Sequence, residues 1–316
     1  MARLLNFASL LGIDPYEIYR LECVFNGQLI VPGMDTLNKG VDLDISANLT
    51  GTPIMFLGMF KKPIIVCRDA SYDYIFRLDR DVKGLVKPTE IYRVSAGKIR
   101  AITEARGLLF IGQDDGIYTL NIDTGDSSVF NSSIYPVSSI ASRDGADLLV
   151  GTDDGKVYYI DSTDAVTDYT DTFNMGTVKI VSTIYAHSIG KWVVGSSDGK
   201  VKLASPDFAT ITDETTNWGV SGLGYVFDIL GLGVIFIHGS TVKLYDGAWK
   251  TISTGLSSIF LACADYFRGK LMLIDDAGNV EVANIPMLKF FNKTVKANFT
   301  VDTTKGSSLG MSNYLS

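Results

Sequence analysis

The chain reads as all-β, with seven four-stranded antiparallel blades set around one axis. Three observations predict this. One hairpin pattern occurs twice in near-identical form, as Leu109-Phe110-Ile111-Gly112-Gln113-Asp114-Asp115-Gly116-Ile117-Tyr118 and as Leu149-Val150-Gly151-Thr152-Asp153-Asp154-Gly155-Lys156-Val157-Tyr158. In each, an apolar run enters, an Asp-Asp-Gly corner supplies the positive φ of a tight turn, and an alternating run leaves. The corner glycines Gly116 and Gly155 lie about 39 residues apart, a period typical of repeat architectures. The entering run then recurs along the chain, as Leu29-Ile30-Val31, Ile64-Ile65-Val66, Phe110-Ile111-Gly112, Leu149-Val150-Gly151, Val193-Val194-Gly195, Val234-Ile235-Phe236 and Met272-Leu273-Ile274. The step averages about 40 residues, the length of a four-stranded blade.

Residues 1–20 precede the repeats. Leu4, Leu5, Phe7, Ala8 and Leu11 fall at helical spacing before Asp14-Pro15, which suits a short helix packed on the ring, or a leading strand. The repeats occupy 21–302. The first has a long corner loop, Pro32–Gly40, and the second, Arg68-Asp69-Ala70-Ser71-Tyr72-Asp73, has no glycine. Later corners are Ser197-Asp198-Gly199, His238-Gly239-Ser240 and Asp275-Asp276-Ala277-Gly278, all expected on one rim with Gly116 and Gly155. After each corner the chain alternates, as in Ile117-Tyr118-Thr119-Leu120 and Val242-Lys243-Leu244-Tyr245, so one face of that strand is buried. A turn such as Asp123-Thr124-Gly125-Asp126 then leads to a more polar fourth strand. Val295–Asp302 reads as a strand with no blade of its own, and Tyr16–Phe25 precedes the first run. One is expected to complete the blade begun by the other, because an open ring leaves unpaired edges. Residues 303–316 form a Gly/Ser-rich tail, loose unless a partner orders it.

The corners Gly151-Thr152-Asp153-Asp154-Gly155 and Gly195-Ser196-Ser197-Asp198-Gly199 give the chain its resemblance to the β-propeller superfamily, in its broad WD-like and quinoprotein-like branches. The Trp-Asp dipeptide of WD repeats and the double glycines of kelch repeats are absent. The resemblance covers roughly residues 15–300 and implies a seven-bladed β-propeller; a fold of this kind hosts many functions and specifies none.

Composition narrows the function. Hydrophobic residues make up 46% and charged residues 20%, so the chain has the material for a core and is not a disordered acidic segment. With 28 basic against 35 acidic residues, a net charge of −7 and no Lys/Arg block longer than Lys61-Lys62, direct nucleic-acid binding is not expected. The most membrane-like window, Val220–Ile237, holds Asp228 and several glycines and suits two strands around Gly231-Leu232-Gly233, so no membrane insertion is expected. Cys23, Cys67 and Cys263 are widely spaced in apolar surroundings and read as buried thiols of a reducing compartment. The N-terminus makes a weak signal peptide, so the expected location is cytoplasmic or within a virion. The Asn-x-Ser/Thr triplets at Asn48, Asn131, Asn292 and Asn298 read as composition rather than glycan sites.

No catalytic, cofactor or metal site is expected. Asp123-Thr124-Gly125 matches an aspartic-protease triplet but stands where the repeat wants a turn. The Asp-Asp-Gly corners lack the spaced oxygen ligands of a calcium loop. His187 and His238 are the only histidines and neither neighbours a cysteine or another histidine in sequence. Phosphate-binding, nucleophile-elbow and dinucleotide motifs are absent.

The expected function is a rigid, non-catalytic platform for other proteins of a large assembly, compatible with an oligomer or ring of copies. A Ser/Thr/Asp/Gly-rich chain of this kind also suits a virus or phage tail component, with only architectural likeness to the tail nozzles of short-tailed phages. The alternatives are a cellular scaffold, or a hydrolase, lyase or glycosidase with two carboxylates at the central channel. Contacts are expected on one rim and through the tail. The candidate anchors are Tyr72, Tyr135, Trp218 and Trp249 in loops or strand edges, and Leu309, Met311, Tyr314 and Leu315 in the tail.

Overall fold

A computed structural model describes residues 23–25, 28–30, 49–57, 63–80, 86–229, 231–265, 270–276, 279–284 and 293–296. It begins with a hairpin, β1 (Cys23–Phe25) and β2 (Gln28–Ile30). Next come β3 (Thr52–Leu57), β4 (Ile64–Arg68), β5 (Tyr72–Arg80) and β6 (Val86–Ser95), then β7 (Ile99–Ala105), β8 (Leu108–Gln113), β9 (Gly116–Leu120) and β10 (Ser127–Asn131). The following set is β11 (Val137–Arg143), β12 (Asp147–Thr152), β13 (Val157–Ile160) and β14 (Val166–Asp168), closed by a helical turn, α1 (Thr170–Phe173). It is repeated by β15 (Ile180–Ala186), β16 (Lys191–Ser196), β17 (Val201–Ala204), β18 (Ile211–Asp213) and α2 (Thr215–Trp218). Two further sets are β19 (Tyr225–Ile229), β20 (Gly233–His238), β21 (Thr241–Tyr245), β22 (Trp249–Ile252), and β23 (Ile259–Asp265), β24 (Lys270–Asp275), β25 (Asn279–Asn284), β26 (Lys293–Lys296).

Each set of four is one antiparallel sheet in sequence order, so the described residues hold six four-stranded sheets and one two-stranded hairpin. Six of the seven apolar runs that served as the ruler fall on the second strand of their sheet, β4, β8, β12, β16, β20 and β24, and Leu29 and Ile30 of the first run fall on β2 of the hairpin. In β4, β8, β12, β16 and β20 this strand is buried along nearly its whole length, which is why its sequence is a continuous apolar run rather than an alternation. The sheets are joined in order by five apolar clusters, each shared by two consecutive sheets. The β11–β14 and β15–β18 sheets, for example, meet through Leu149, Val157, Phe173, Met175, Ile180, Trp192 and Phe208.

Glycine recurs in the second strand for a packing reason. A Cβ at Gly112, Gly151 or Gly195 would run into the side chain of Val137, Ile180 or Leu223, the residue with which the next sheet begins its approach to the axis. The bare backbone is a socket for the neighbour. In five sheets the pairing of first and second strands slips at one place, between Pro53 and Met55, Ile99 and Ala101, Val137 and Ser139, Ile180 and Ser182, and Ile259 and Leu261. A bulge turns a side chain out of the alternation, and two of these residues bridge to the next sheet: Arg100 donates to Asp153, and the Ser138 hydroxyl donates to the Ile180 carbonyl at 2.7 Å.

At the end remote from the corners, arginines staple consecutive sheets by donating to carbonyls of the next sheet's outer turn. Arg77 reaches the Ile122 carbonyl at 2.6 Å, Arg106 reaches the Asp161 carbonyl and also the Asp164 carboxylate, and Arg143 reaches the Pro206 carbonyl at 3.2 Å. Asp228 continues the series with opposite polarity: buried in β19, it accepts from the His187 amide at 2.8 Å and from the Ser188 hydroxyl. Burial pushes its carboxyl above the usual carboxylate range. Cys67 is buried in β4, and desolvation pushes its thiol up to about 12, so it is a packing residue.

One expectation changes in part. β26 pairs with β25 from Asn279↔Lys296 to Val282↔Lys293, so the first two residues of the strand expected over Val295–Asp302 belong to the last sheet, while residues 297–302 lie outside the described residues. The hairpin's β1 lies beside both β3 and β23, the first strands of the first and last four-stranded sheets. Residues 1–20 and 303–316, and with them the tail residues Leu309, Met311, Tyr314 and Leu315, lie outside the described residues.

Candidate functional site

The turns between second and third strands, and the connections from each fourth strand to the next sheet, all lie at one end of the strands, and together they form the corner rim. Its turns are built by a repeated side-chain device. The Thr152 hydroxyl donates to Asp154 and accepts the Lys156 amide at 2.9 Å, and Ser196 does the same for Asp198 and the Lys200 amide, at 3.2 Å to the latter. The corner without glycine uses a carboxylate instead: Asp69 Oδ1 accepts the amides of Ser71 and Tyr72, both at 2.7 Å. The Tyr74 hydroxyl donates to the other oxygen, and these bonds hold the Asp69 carboxyl below its usual range. Gly155 has φ +85°, and a Cβ there would overlap the Gly176 carbonyl of the connecting segment, so both conformation and space require glycine.

Charge alternates around the rim. Lys98 contacts Asp114 at 2.7 Å and Asp115 at 3.1 Å, which raises its ammonium pKa, and Asp153 faces Arg100 and Lys179. Among the described residues no group of three or more His, Cys, Asp or Glu side chains is placed to hold a metal ion. His238 is exposed at the end of β20, and His187 lies at the opposite rim with Nδ1 3.7 Å from Asp144. No helix among the described residues is long and apolar enough to cross a membrane.

The expected anchors separate. Tyr72 and Tyr135 are on the rim and exposed, at 42% and 54%. Trp218 is not a surface anchor: it is fully buried, and its indole N–H donates to the Gly222 carbonyl at 3.0 Å. The segment expected to be a loop coils into α2, which drives the indole into the β15–β18/β19–β22 junction against Phe236 and Trp249. Trp249 is half-buried, with its indole N–H on Glu214 at 2.8 Å. A sequence signal for this existed. Asp168-Tyr169-Thr170 and Asp213-Glu214-Thr215 open α1 and α2 identically, the Asp accepting the Thr amide (2.8 and 3.0 Å) and the Thr hydroxyl accepting the amide of Val157 or Val201 (3.2 and 3.1 Å). Phe173 and Trp218 are then the matching apolar plugs. The residues that sequence reading missed are Val129 and Val166, exposed at 58% and 43% on the outer strands β10 and β14.

Asp213 also provides a pH signature. Hydrogen bonds from Lys202 and then Thr215 pull its carboxyl from 3.8 down to about 2. A depressed carboxyl stabilises the fold above its unfolded pKa, and that contribution disappears as pH falls through about 2. Because the Asp213 side chain is 58% exposed, solvent screening reduces the contribution to ~1 kcal/mol. Asp213→Asn is therefore expected to lower the urea midpoint at pH 7 and to have a progressively smaller effect as pH falls towards 2, where the parent carboxyl is itself about half protonated.

No protein-family model matches this chain, and no curated protein matches it. Among solved structures, the WD40 domain of Pan2 from Neurospora crassa matches with a TM-score of 0.58 over 78% of this chain and 79% of that domain. The fold is a β-propeller. At 12% identity the likeness concerns architecture alone. In propeller terms the sheets are blades, with first strands innermost and β6, β10, β14, β18, β22 and β26 on the circumference.

Proposed function

We propose that this propeller is a rigid, non-catalytic platform on which other proteins of a larger assembly dock, with contacts on the corner rim. The observation that carries the reading is the presence of two exposed tyrosines on rim segments whose backbones are already pinned. The Tyr72 amide is held by Asp69, and Arg93 lies 5.5 Å from the centre of the Tyr72 ring. Around Tyr135, Asn131 Oδ1 accepts the amides of Ser133 and Ile134 at 2.8 and 3.2 Å, while the Pro136 carbonyl accepts the Asp153 amide at 3.0 Å. Aromatic side chains on ordered backbone bind with little further loss of conformational freedom, which is what a docking surface needs.

The same proposal includes a seventh blade founded on the β1–β2 hairpin. Its support is the position of β1 between β3 and β23, and the burial of Tyr74 and Phe76 on the outer part of the β3–β6 blade. Membership in a virus or phage particle, and hence a virion rather than a cytoplasmic location, is a narrower form of the proposal that rests on composition alone. The comparison with the Pan2 domain lends it no support.

The test is a tagged chain purified from its native source beside a Tyr72→Ala, Tyr135→Ala variant. Stoichiometric protein partners are expected with the parent and lost with the variant, at equal urea midpoints. A chain that purifies alone, or partners that ignore both substitutions, would overturn the rim reading. Micromolar binding of a small molecule in the central channel would favour the enzyme instead.

A further inference from the structure

The geometry points to a second docking site, on the circumference rather than the rim: the free edge of β14 accepts an extended, basic segment of a partner protein as an added strand. This goes beyond the rim reading and does not depend on it. In the β13–β14 pair, the Asp161 amide donates to the Ala165 carbonyl at 3.1 Å and the Tyr169 amide to the Val157 carbonyl at 2.9 Å. With Tyr159 opposite Thr167, the hydrogen-bonded positions on this strand are therefore 165, 167 and 169. Antiparallel ladders alternate, so the amides and carbonyls of Val166 and Asp168 point away from β13. Among the described residues no strand lies beyond β14 in its sheet, and all three of its residues are exposed.

The neighbouring outer strands are blunted in ways that β14 is not. β10 breaks register between Val129 and Asn131, and a bulge of that kind disrupts an edge. In β18, Ile211 is packed into the core cluster and Asp213 is ion-paired with Lys202. In β22, Trp249 leans on Trp218. What remains on β14 is one exposed valine between carboxylates: Asp164, Asp168 and Asp171 are all exposed, and Arg106, the arginine beside Asp164, is engaged with it.

That charge pattern selects the occupant. A second copy of this chain pairing edge to edge would set carboxylates against carboxylates, which is destabilising. A strand with Lys or Arg alternating with apolar residues instead places cations beside Asp164, Asp168 and Asp171 and an apolar side chain on Val166. Main-chain hydrogen bonds supply affinity and the alternating side chains supply selectivity.

The probe is a fluorescent hexapeptide of alternating lysine and valine, compared by anisotropy with one in which glutamate replaces lysine. The lysine peptide is expected to bind, more weakly as salt rises, and the glutamate peptide is not. Val166→Pro removes one outward amide without touching the β13 ladder and is expected to weaken binding about tenfold. Asp168→Asn with Asp171→Asn, which keeps the Asp168 acceptor, is expected to weaken it several-fold. Amide exchange at Val166 and Asp168 in the unmodified chain is expected to slow when the peptide is added, and this decides the matter if Val166→Pro lowers the urea midpoint. Equal binding of both peptides, no binding of either, unchanged exchange, or a chain dimer that Val166→Pro dissolves would each overturn the proposal. The Tyr72→Ala, Tyr135→Ala variant is expected to bind the peptide normally, so this result stands or falls apart from the rim reading.

Discussion

Gly155→Ala is expected to cost ~2–5 kcal/mol, the sum of a left-handed penalty and a clash that cannot relax. Its φ is +85°, and the atom a methyl group would meet is not the end of a side chain but the Gly176 carbonyl oxygen, with the Val178 carbonyl oxygen 3.0 Å away. That backbone belongs to the connection leading into the β15–β18 blade, so the corner of one blade and the entrance to the next would have to part. Gly145→Ala is the control. It has φ +68° and nothing within 4 Å of the added carbon, so it should show the conformational penalty alone, about 1 kcal/mol. Urea midpoints of the two variants separate the contributions; equal losses would mean that the corner does not press on its neighbour as described.

Trp218→Ala is expected to cost ~3–5 kcal/mol, the range for emptying a buried aromatic site. The indole is enclosed by Phe236 and Trp249, with the Lys243 ammonium 5.6 Å from its ring centre, and the Lys243 ammonium also donates to the Trp218 carbonyl at 2.6 Å. Truncation therefore opens a cavity between two blades and loosens α2 as well. Tyr72→Ala, at an exposed position, should change the midpoint by no more than ~0.5 kcal/mol. An unchanged midpoint for Trp218→Ala would return that residue to the list of surface anchors. A large loss would confirm that its importance is to blade packing.

The contrast between Trp218 and Tyr72 shows where sequence reading succeeds and where it stops. Both were read as aromatic residues in loops. For Tyr72 the loop is a two-strand corner, whose geometry follows from residues five apart, Asp69 and Asp73 to Tyr74 and Arg68. For Trp218 the outcome depends on Phe236, Trp249 and Lys243 in another blade, with Gly222 four residues on in the connection between them. Short-range chemistry writes itself into adjacent letters; contacts between blades do not.

The same division runs through the molecule. The sequence by itself determined the strand order within a blade, the position of the buried second strand and the placing of the corners. Each of these depends on a local period: continuous apolar letters where both faces are covered, alternation where one is, and Asp-Gly where the backbone must reverse. The tertiary structure decided that β26 completes the last sheet, that β1 stands between β3 and β23, and that Arg77, Arg106 and Arg143 tie one blade to the carbonyls of the next. It also decided how the outer strands differ, since β10, β14 and β18 look alike as short polar segments and are set apart by a bulge, an ion pair and a packed isoleucine. The arginine staples reach partners more than 40 residues away, about one repeat or more, and no local pattern encodes which of several similar neighbours a side chain will meet.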